Sequence, residues 1–443
     1  MVRIGTVGLG AWGWNVTRNF AELKTCKLVS CFDLDPKRRD SAARTWPGVM
    51  PVDSFDNLLR QDIDAVAIAS PAITHYEFTK KALLSGRDVF VEKPFTLNVR
   101  HAEELLELAE KHNRVLMVGH LLEYHPVVHR LKKLISSGEL GPIYYIYTQR
   151  VNLGRIRGDE NALWSFAPHD ISQILFLLNM EPSNVSARGQ SYVQDGIEDV
   201  VFLSLFFDNR VMAHIHLSWL DPHKVRRTTI VGQKKMAVFD DAESTEKLKI
   251  YDNYAEMPPA KSYGEAIQVR FGDIWIPRVE NAEPLKLECQ HFIDCVRERS
   301  TPTSDAQDGL RVIRIIEAAQ QSLEQDGVPV SLRGTHDKLP APISAARALS
   351  VDCRARRAPY FTSRIVIAGF DAKKLCGIKL KPNQWVGITG QSSIRVMWWK
   401  PTVYQATMSR LAIGRSRAVQ APSVSDPSLI MAKRPPAKRS ARA

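Results

Sequence analysis

The sequence predicts an α/β protein, in which a doubly wound N-terminal domain is followed by an α+β domain with a large open, mainly antiparallel sheet. Two observations carry this prediction. In the first third, short β-branched runs alternate with amphipathic helical stretches, which is the pattern of βαβ units and a parallel sheet. Beyond that, strand-like runs follow one another with little helix between them. We expect domains at 1–122 and 123–334, and a basic tail at 335–443.

The predicted elements of the first domain follow from these two periodicities. Alternating and continuous apolar runs predict strands, and apolar residues at a 3.6-residue period predict helices. The strands are expected at 3–7, 27–32, 65–69, 88–91 and 115–118. The helices are expected at 14–23, 74–85 and 98–112.

The second domain is richer in predicted strands. Helices are expected at 126–136, 169–178, 285–296 and 309–323. Strands are expected at 143–150, 185–193, 200–207, 211–219, 225–231, 236–239 and 248–251. From about residue 335 neither periodicity persists.

Composition excludes several classes of protein. The 443 residues are 44% hydrophobic and 24% charged, as in globular proteins and unlike disordered or collagenous chains. Apolar runs such as 65–69 and 200–207 are far shorter than the roughly 20 residues of a membrane span. The six cysteines form no CxxC pair, so we expect reduced thiols and no metal site. A cytoplasmic location without membrane association is the expectation.

Positive charge is concentrated at the C-terminal end. From residue 345 onward there are 19 Lys and Arg, three Asp and no Glu, although the whole chain carries +12. The preceding residues carry −4, so nucleic-acid binding is not expected of the two domains. Three interpretations of the tail stay open: a basic interaction arm for nucleic acid or acidic lipid, the remnant of an appended domain, or translation in a shifted reading frame. The last explains the abrupt change best.

A glycine motif predicts a dinucleotide site. Gly8, Gly10 and Gly13 lie where the first strand turns into the first helix, and Asp33 ends the next strand. In such a turn the first glycine permits the tight bend, the second lets the backbone approach a pyrophosphate, and the third allows close helix packing. Asp33 would accept hydrogen bonds from ribose hydroxyls, which favours NAD over NADP, although Lys37–Arg39 could accommodate a phosphate.

Further motifs carry a resemblance to a known family. They are Ala69-Ser-Pro-Ala-Ile-Thr-His75, Glu92-Lys93-Pro94, and the stretches 119–126, 150–157, 161–171 and 218–227. With these motifs the sequence resembles the Gfo/Idh/MocA family of NAD(P)-dependent sugar oxidoreductases from about residue 1 to 332. The later stretches are similar to a branch that contains nucleotide-sugar 3-dehydrogenases of surface-polysaccharide biosynthesis. The resemblance implies a Rossmann domain and cofactor contacts at Trp12, Ser70, Pro71, His75, Glu92 and Lys93.

Lys93 is the first candidate catalytic residue. It follows a parallel strand at the carboxyl edge of the predicted sheet, where ligands of such sheets bind. An ammonium beside a sugar hydroxyl lowers the cost of the alkoxide-like charge that develops during oxidation. The alternative is a surface lysine paired with Glu92, and the family resemblance favours catalysis.

His169 is the second candidate catalytic residue. It opens a predicted helix, where a neutral imidazole can take a hydroxyl proton, and the resemblance implies that it is the base. The alternative is a cap or core histidine. Members of the family often have Asp four residues earlier, where this sequence has Ser165, and Asp170 is expected to point elsewhere.

Basic residues of the second domain predict an anionic substrate. Arg binds carboxylate and phosphate oxygens in pairs, and the alternative is a set of solvated charges on strand edges. The cationic residues are Arg150, Arg155, Arg157, Lys224, Arg226 and Arg227. Tyr124 and Trp219 are aromatic residues for a sugar or uracil ring, with core packing as the alternative for Trp219. The expected substrate contacts are Lys93, Tyr124, Arg150, Asn152, Arg155, Arg157, His169 and Arg226.

The predicted function is NAD-dependent oxidation of the 3-hydroxyl of a UDP-N-acetylhexosamine or its uronate. Two alternatives stay open. One is oxidation of a free sugar or inositol by another enzyme of the family. The other is a cofactor-binding regulatory protein without catalysis. The resemblance also implies a homodimer or homotetramer in which the open sheets of two second domains pack together.

Overall fold

The structure is a computed structural model that describes residues 1–154, 156–256, 268–333, 384–388 and 394–398. Contacts divide the chain into two compact units, Met1–Pro340 and Ala341–Ala443. The candidate site lies within the first unit, which contains both predicted sheets.

The N-terminal domain is a six-stranded parallel sheet with strand order β3-β2-β1-β4-β5-β6. Its strands are β1 (Val2–Val7), β2 (Cys26–Phe32), β3 (Met50–Val52), β4 (Ala65–Ile68), β5 (Asp88–Glu92) and β6 (Leu116–Gly119). Its helices are α1 (Ala11–Glu22), α2 (Pro36–Thr45), α3 (Phe55–Leu59), α4 (His75–Leu84) and α5 (Val99–Lys111). The predicted doubly wound α/β class is confirmed, whereas β3, α2 and α3 were not predicted.

The second domain is built on a nine-stranded sheet with the order β16-β13-β12-β11-β7-β10-β9-β8-β17. Its strands are β7 (Ile143–Val151), β8 (Asn184–Gln190), β9 (Val200–Phe206), β10 (Met212–Ser218), β11 (Val225–Gly232), β12 (Met236–Asp240), β13 (Leu248–Tyr251), β16 (Ile274–Trp275) and β17 (Val330–Ser331). Strands β7 and β10 pair in parallel, and the other neighbours pair antiparallel. The large, mainly antiparallel sheet is therefore confirmed.

Helices cover one face of this sheet. Helix α8 (Pro284–Glu298) packs instead against α1 and the parallel sheet of the first domain. The covering helices are α6 (Pro126–Ser136), α7 (Ala162–Leu178) and α9 (Ala306–Glu324). Alternate residues of the central strands, such as Ile146, Leu203 and Ile215, are fully buried beneath them. Trp219 belongs to this core, because it is 1% exposed and its ring meets Phe166 edge-on. The core interpretation of Trp219 is the one that the structure supports.

Helix α7 begins seven residues earlier than predicted. A helix over 169–178 was expected. Instead Pro168 lies inside the helix, and the Asn161 side chain caps the start by accepting from the amide of Trp164 at 3.1 Å. His169 is therefore a mid-helix residue, which corrects the predicted position at a helix start.

Short strands outside the two large sheets were also not predicted. Strands β14 (Tyr254–Glu256) and β15 (Gln268–Arg270) pair with each other. In the second unit β18 (Gln384–Ile388) and β19 (Ile394–Trp398) form an antiparallel pair, so this part of the tail does contain regular structure. The remaining tail positions lie outside the described residues. Among the helices that the structure describes, none is long and apolar enough to span a membrane.

Candidate active site

The glycine turn joins β1 to α1 at the carboxyl edge of the parallel sheet. Gly8 has φ +86°, and a Cβ there would lie 2.7 Å from the backbone of Ala69 and Ser70. A Cβ at Gly13 would overlap the Gly8 carbonyl group. A side chain at Gly8 would therefore push the turn away from the loop after β4, and one at Gly13 would push α1 away from the turn.

The first amides of α1 are available to a ligand. Gly10 is the N-cap residue of α1 and supplies no side-chain cap. The nearest group to a Cβ built on Gly10 is the Arg38 Nη1, at 3.9 Å. A helix N-terminus offers unpaired amide donors and a positive dipole end, so this open cradle fits a pyrophosphate.

Asp33 is fixed beside this cradle at the end of β2. Its Oδ2 accepts a hydrogen bond from the Leu9 amide at 2.7 Å, and its Oδ1 accepts from the Asp35 amide at 2.8 Å. Arg38 Nη1 lies 3.4 Å from the same Oδ2. Arg39 donates to the Asp33 carbonyl at 2.7 Å. Of the cations predicted for a phosphate, Arg38 is thus the one next to the Asp33 carboxylate, whereas Arg39 is held by the backbone.

His75 connects the loop that follows β4 to the loop that follows β5. Its Nε2 lies 2.9 Å from the Ser70 carbonyl oxygen, and its Nδ1 lies 2.8 Å from that of Pro94. The ring is buried, and burial lowers the pKa of His75. Since both ring nitrogens face carbonyl oxygens, His75 holds the loop of Ser70 and Pro71 against the loop of Lys93.

Glu92 connects the glycine turn to the end of β5. Its carboxylate accepts a hydrogen bond from the Trp12 indole Nε1 at 2.5 Å and from the Lys93 amide at 3.2 Å. A Cβ at Gly119 would lie 3.1 Å from that carboxylate. Burial raises the pKa of Glu92. Trp12, Glu92 and Lys93 therefore form one contiguous group.

Lys93 reaches from the first domain to α7 of the second. Its Nζ donates to the Ser165 carbonyl oxygen at 3.2 Å. Burial lowers the pKa of Lys93, and the Glu92 carboxylate opposes that shift. The ammonium is thus held at the junction of the two sheets and gives up its proton more readily than an exposed lysine.

His169 lies one helical turn beyond Ser165 on the same face of α7. Burial lowers the pKa of His169 well below its ordinary value, and the nearby charges of Lys93 and Arg150 lower it further. The imidazole is therefore neutral at pH 7 and can accept a proton. The structure brings the two predicted catalytic residues together.

The predicted cationic pocket is largely neutralised. Arg150 Nε donates to Asp170 Oδ2 at 2.6 Å, and Arg157 Nη1 lies 3.1 Å from Glu160. The structure therefore shows internal ion pairs where the sequence suggested free charges.

The other predicted cations of the pocket, apart from Arg226, have different surroundings. Arg227 pairs with Asp240 at 2.7 Å and lies opposite Gln149, on the other face of the sheet. Lys224 is exposed in the turn before β11, and Arg155 lies outside the described residues.

Arg226 is the exception among the described arginines of the predicted pocket. It lies opposite Arg150 in the β7–β11 register and hence on the same sheet face. Its Nε is buried and has no hydrogen-bond partner among the described residues. Burial lowers the pKa of Arg226, as does the neighbouring Arg150 charge. A buried donor without a partner is costly, so this nitrogen is available for an anionic ligand.

Two other predicted substrate contacts have defined surroundings. Asn152 follows β7, and its amide donates to the Ser218 carbonyl at 3.1 Å. Tyr124 is buried, and its hydroxyl lies 2.9 Å from Ser304 Oγ. We therefore expect Tyr124 to support the site by packing and not to contact the substrate directly. Asn152 lies just after the end of β7.

A buried polar cluster beside the site escaped the sequence analysis. His120 Nδ1 lies 2.6 Å from Asp308 Oδ2 and 3.5 Å from Glu123 Oε1. Burial alone would lower the pKa of His120, but these two carboxylates raise it to about 10. The three side chains form a group with metal-ligand atom types, but the short contact to Asp308 makes the imidazole one half of an ion pair. The motif contained His120, but Asp308 is too distant in sequence to be paired with it by inspection.

The site has the features of a dinucleotide-dependent oxidoreductase. The N-terminus of α1 forms an open anion cradle with an acidic residue fixed beside it, and a Lys–His pair lies at the junction of the two sheets. Comparison with known families agrees. Residues 2–120 match the oxidoreductase family with an NAD-binding Rossmann fold, and residues 128–238 match the GFO/IDH/MocA C-terminal domain. The chain belongs to the GFO/IDH/MocA family of oxidoreductases.

Curated relatives of this chain differ in their substrates. It is 27% identical to UDP-N-acetylglucosamine 3-dehydrogenase of Acidithiobacillus ferrooxidans, over 58% of this chain and 79% of that protein. It is 26% identical to scyllo-inositol 2-dehydrogenase (NAD(+)) of Bacillus subtilis, over 75% of this chain and 96% of that protein. It is 27% identical to an oxidoreductase of Streptococcus pneumoniae, and the match covers 61% of the length of that protein.

Solved structures show the same fold. An oxidoreductase from Magnetospirillum magnetotacticum MS-1 superimposes with a TM-score of 0.62 at 30% identity, covering 72% of this chain and 99% of that one. UDP-N-acetylglucosamine 3-dehydrogenase from Acidithiobacillus ferrooxidans gives a TM-score of 0.62 at 24% identity, covering 73% and 98% of the two chains.

Proposed function

We propose that this chain oxidises the 3-hydroxyl of a UDP-N-acetylhexosamine or its uronate with NAD as acceptor. One observation carries the proposal: Lys93 from the Rossmann domain touches the turn of α7 that leads to His169. A proton donor and a proton acceptor thus converge beside the dinucleotide cradle. The relative that acts on UDP-N-acetylglucosamine supports the choice of substrate.

The two side chains divide the proton chemistry. The Lys93 ammonium stabilises the negative charge that develops on the substrate oxygen as its carbon is oxidised. Neutral His169 accepts the hydroxyl proton, because its low pKa keeps it unprotonated at pH 7. NAD, when bound with its pyrophosphate at Gly10, supplies the two-electron acceptor.

Arg226 supports an anionic substrate. Its buried Nε has no partner among the described residues, and it shares a sheet face with Arg150 near the imidazole of His169. A diphosphate or a uronate carboxylate would satisfy this donor with a charge-assisted hydrogen bond. A neutral sugar would satisfy it less well.

A second candidate is oxidation of a neutral sugar or inositol. The observation in its favour is that Arg150 and Arg157 already pair with Asp170 and Glu160. Those pairs remove much of the positive charge that the sequence suggested. The scyllo-inositol dehydrogenase relative is consistent with this candidate.

A substrate panel separates the two candidates. The full chain is mixed with NAD and UDP-N-acetylglucosamine, its uronate, scyllo-inositol or glucose, and nicotinamide absorbance is recorded. The proposal predicts turnover with a UDP-sugar, and a rise in KM of about tenfold or more in Arg226→Gln. The matched control is Arg227→Gln, on the opposite face of the same strand. Turnover with inositol alone would instead establish the second candidate.

We also propose a homodimer or homotetramer assembled through the open sheet face. Tyr145, Phe202 and Met212 on that face are each more than 40% exposed. Tyr145 is stacked on Tyr147, and Phe202 on His216. Exposed apolar patches of this kind mark interaction surfaces. Light scattering should give at least a dimer mass, and Phe202→Glu should lower it; a monomeric wild-type chain would contradict this proposal.

A further inference from the structure

A groove of about 860 Å³ lies between α6, α8 and the segment that links β16 to α8. Of the residues predicted to contact cofactor or substrate, its lining contains Tyr124 alone. The Tyr124 hydroxyl already bonds Ser304. Neither Lys93 nor His169 lines the groove, so it is separate from the catalytic pair.

The groove is positively charged. Arg130 and Lys133 lie three residues apart on α6 and hence on one face of that helix, and Arg278 comes from the linking segment. None of the three makes an ion pair with another residue that the structure describes. Glu280 is the single carboxylate in the lining. The net charge of the lining is thus suited to a dianion.

Apolar and planar surfaces adjoin these charges. The Arg130 guanidinium carbon lies 5.6 Å from the centre of the Trp275 ring. Trp275 is 47% exposed, Ile276 42% and Leu287 40%. A guanidinium held over an indole keeps its donors in a fixed plane, and the exposed rings and alkyl groups offer a surface for stacking.

Two histidines complete the polar lining without adding charge. Burial lowers the pKa of both His129 and His291, so both are neutral at pH 7. His291 Nε2 accepts from the Thr303 amide at 3.0 Å, which leaves its Nδ1 as a donor. The groove therefore combines three cations and a neutral donor with an exposed indole.

We propose that this groove is a second ligand site, and that its ligand is a small organic phosphate bearing a planar aromatic ring. The phosphate binds Arg130, Lys133 and Arg278, and the ring lies on Trp275. Bare phosphate would leave the indole uncovered, and a purely apolar ligand would leave three cations unpaired. This site does not depend on the proposed dehydrogenase activity.

The test is calorimetric titration of the full chain with phenyl phosphate, at saturating NAD so that the cofactor cleft is filled. We expect phenyl phosphate to bind about tenfold more tightly than inorganic phosphate, because stacking adds to the charge interactions. Arg130→Gln and Lys133→Gln should each weaken binding by about tenfold. Lys111→Gln, which removes another exposed helix lysine, should bind as the wild type does. Trp275→Leu should weaken phenyl phosphate binding and leave inorganic phosphate unchanged.

Three results would overturn the proposal: no binding of phenyl phosphate, equal binding by all variants, or loss of binding in Arg226→Gln rather than in Arg130→Gln. The last would place the ligand in the catalytic cleft. Turnover of Arg130→Gln should equal that of the wild type. Failure of the substrate panel would leave the binding result intact, so the two proposals fail separately.

Discussion

The indole of Trp12 donates a hydrogen bond to the carboxylate of Glu92 at 2.5 Å. This contact joins the glycine turn of the cofactor cradle to the residue that precedes Lys93. Because Glu92 is buried, its carboxylate depends on the few donors that reach it. The cofactor turn and the catalytic lysine are therefore mechanically connected through one side-chain contact.

Trp12→Phe should destabilise the fold by about 1–3 kcal/mol, because it leaves a buried carboxylate with one donor fewer. The measurement is urea-induced unfolding. Trp14→Phe is the matched control, since the Trp14 ring packs against Trp46 at a centroid distance of 4.6 Å and position 14 stays aromatic after the change. Equal losses in the two variants would contradict a special contribution of the Trp12–Glu92 bond.

The pH dependence of activity should reflect His169 and Lys93. The pKa of His169 lies well below 6.5 and that of Lys93 below 10.5. We therefore expect kcat/KM not to decrease when the pH is lowered from 7 to 6.5. It should fall only at lower pH, where His169 is protonated, and again before pH 10.5, where Lys93 is deprotonated. His169→Asn should lower kcat by about 10²- to 10⁴-fold and abolish the acidic limb. Persistence of that limb in the variant would assign it to another group; the exposed His223→Asn serves as control.

Removal of the buried Arg150–Asp170 ion pair should lower the free energy of unfolding. Arg150→Met leaves Asp170 charged, 2% exposed and unpaired, which costs about 3–5 kcal/mol. Arg227→Met removes a half-exposed guanidinium from Asp240 and should cost less than about 1 kcal/mol. Unfolding in urea compares the two, and similar losses would show that burial of the Arg150 pair contributes nothing extra.

His120 should make stability depend on pH. Its pKa is about 10 in the folded protein and near 6.5 in an unfolded chain. The extra stabilisation is therefore complete below pH 6.5 and is lost as pH rises through about 10. The difference in unfolding free energy between wild type and His120→Gln should shrink from pH 6 to pH 10. A difference that is constant or grows over this range would be incompatible with a charged imidazole beside Asp308 and Glu123.

Much of the fold could be predicted from local patterns. The strands and helices around the glycine turn follow from apolar periodicity, and Asp33 follows from its spacing after Gly13. The start of α7 was predicted seven residues too late, because Pro168 lies inside the helix, where proline is rare, and the start is set by the Asn161 cap. A helix begun seven residues earlier puts Ser165 and His169 on one face, and this is what brings Lys93 to the histidine.

The charges of the site could not be predicted, because their partners are distant in sequence. Arg150 pairs with a residue 20 positions away, and His120 with one 188 positions away. The number of arginines in a sequence does not show which carboxylates face them. Of the described arginines predicted for the pocket, Arg226 is the one whose buried Nε has no partner among the described residues. Its place beside Arg150 depends on the register of β7 and β11.

The central claim is that Lys93 and His169 perform the proton chemistry of an NAD-dependent dehydrogenase. The most direct test records NADH formation by the full chain with UDP-N-acetylglucosamine or its uronate, with Lys93→Ala and the exposed-lysine control Lys111→Ala alongside. Lys93→Ala should lower kcat by about 10²- to 10³-fold or more, with NAD binding retained, and Lys111→Ala should match the wild type. Undiminished turnover in Lys93→Ala would contradict the claim.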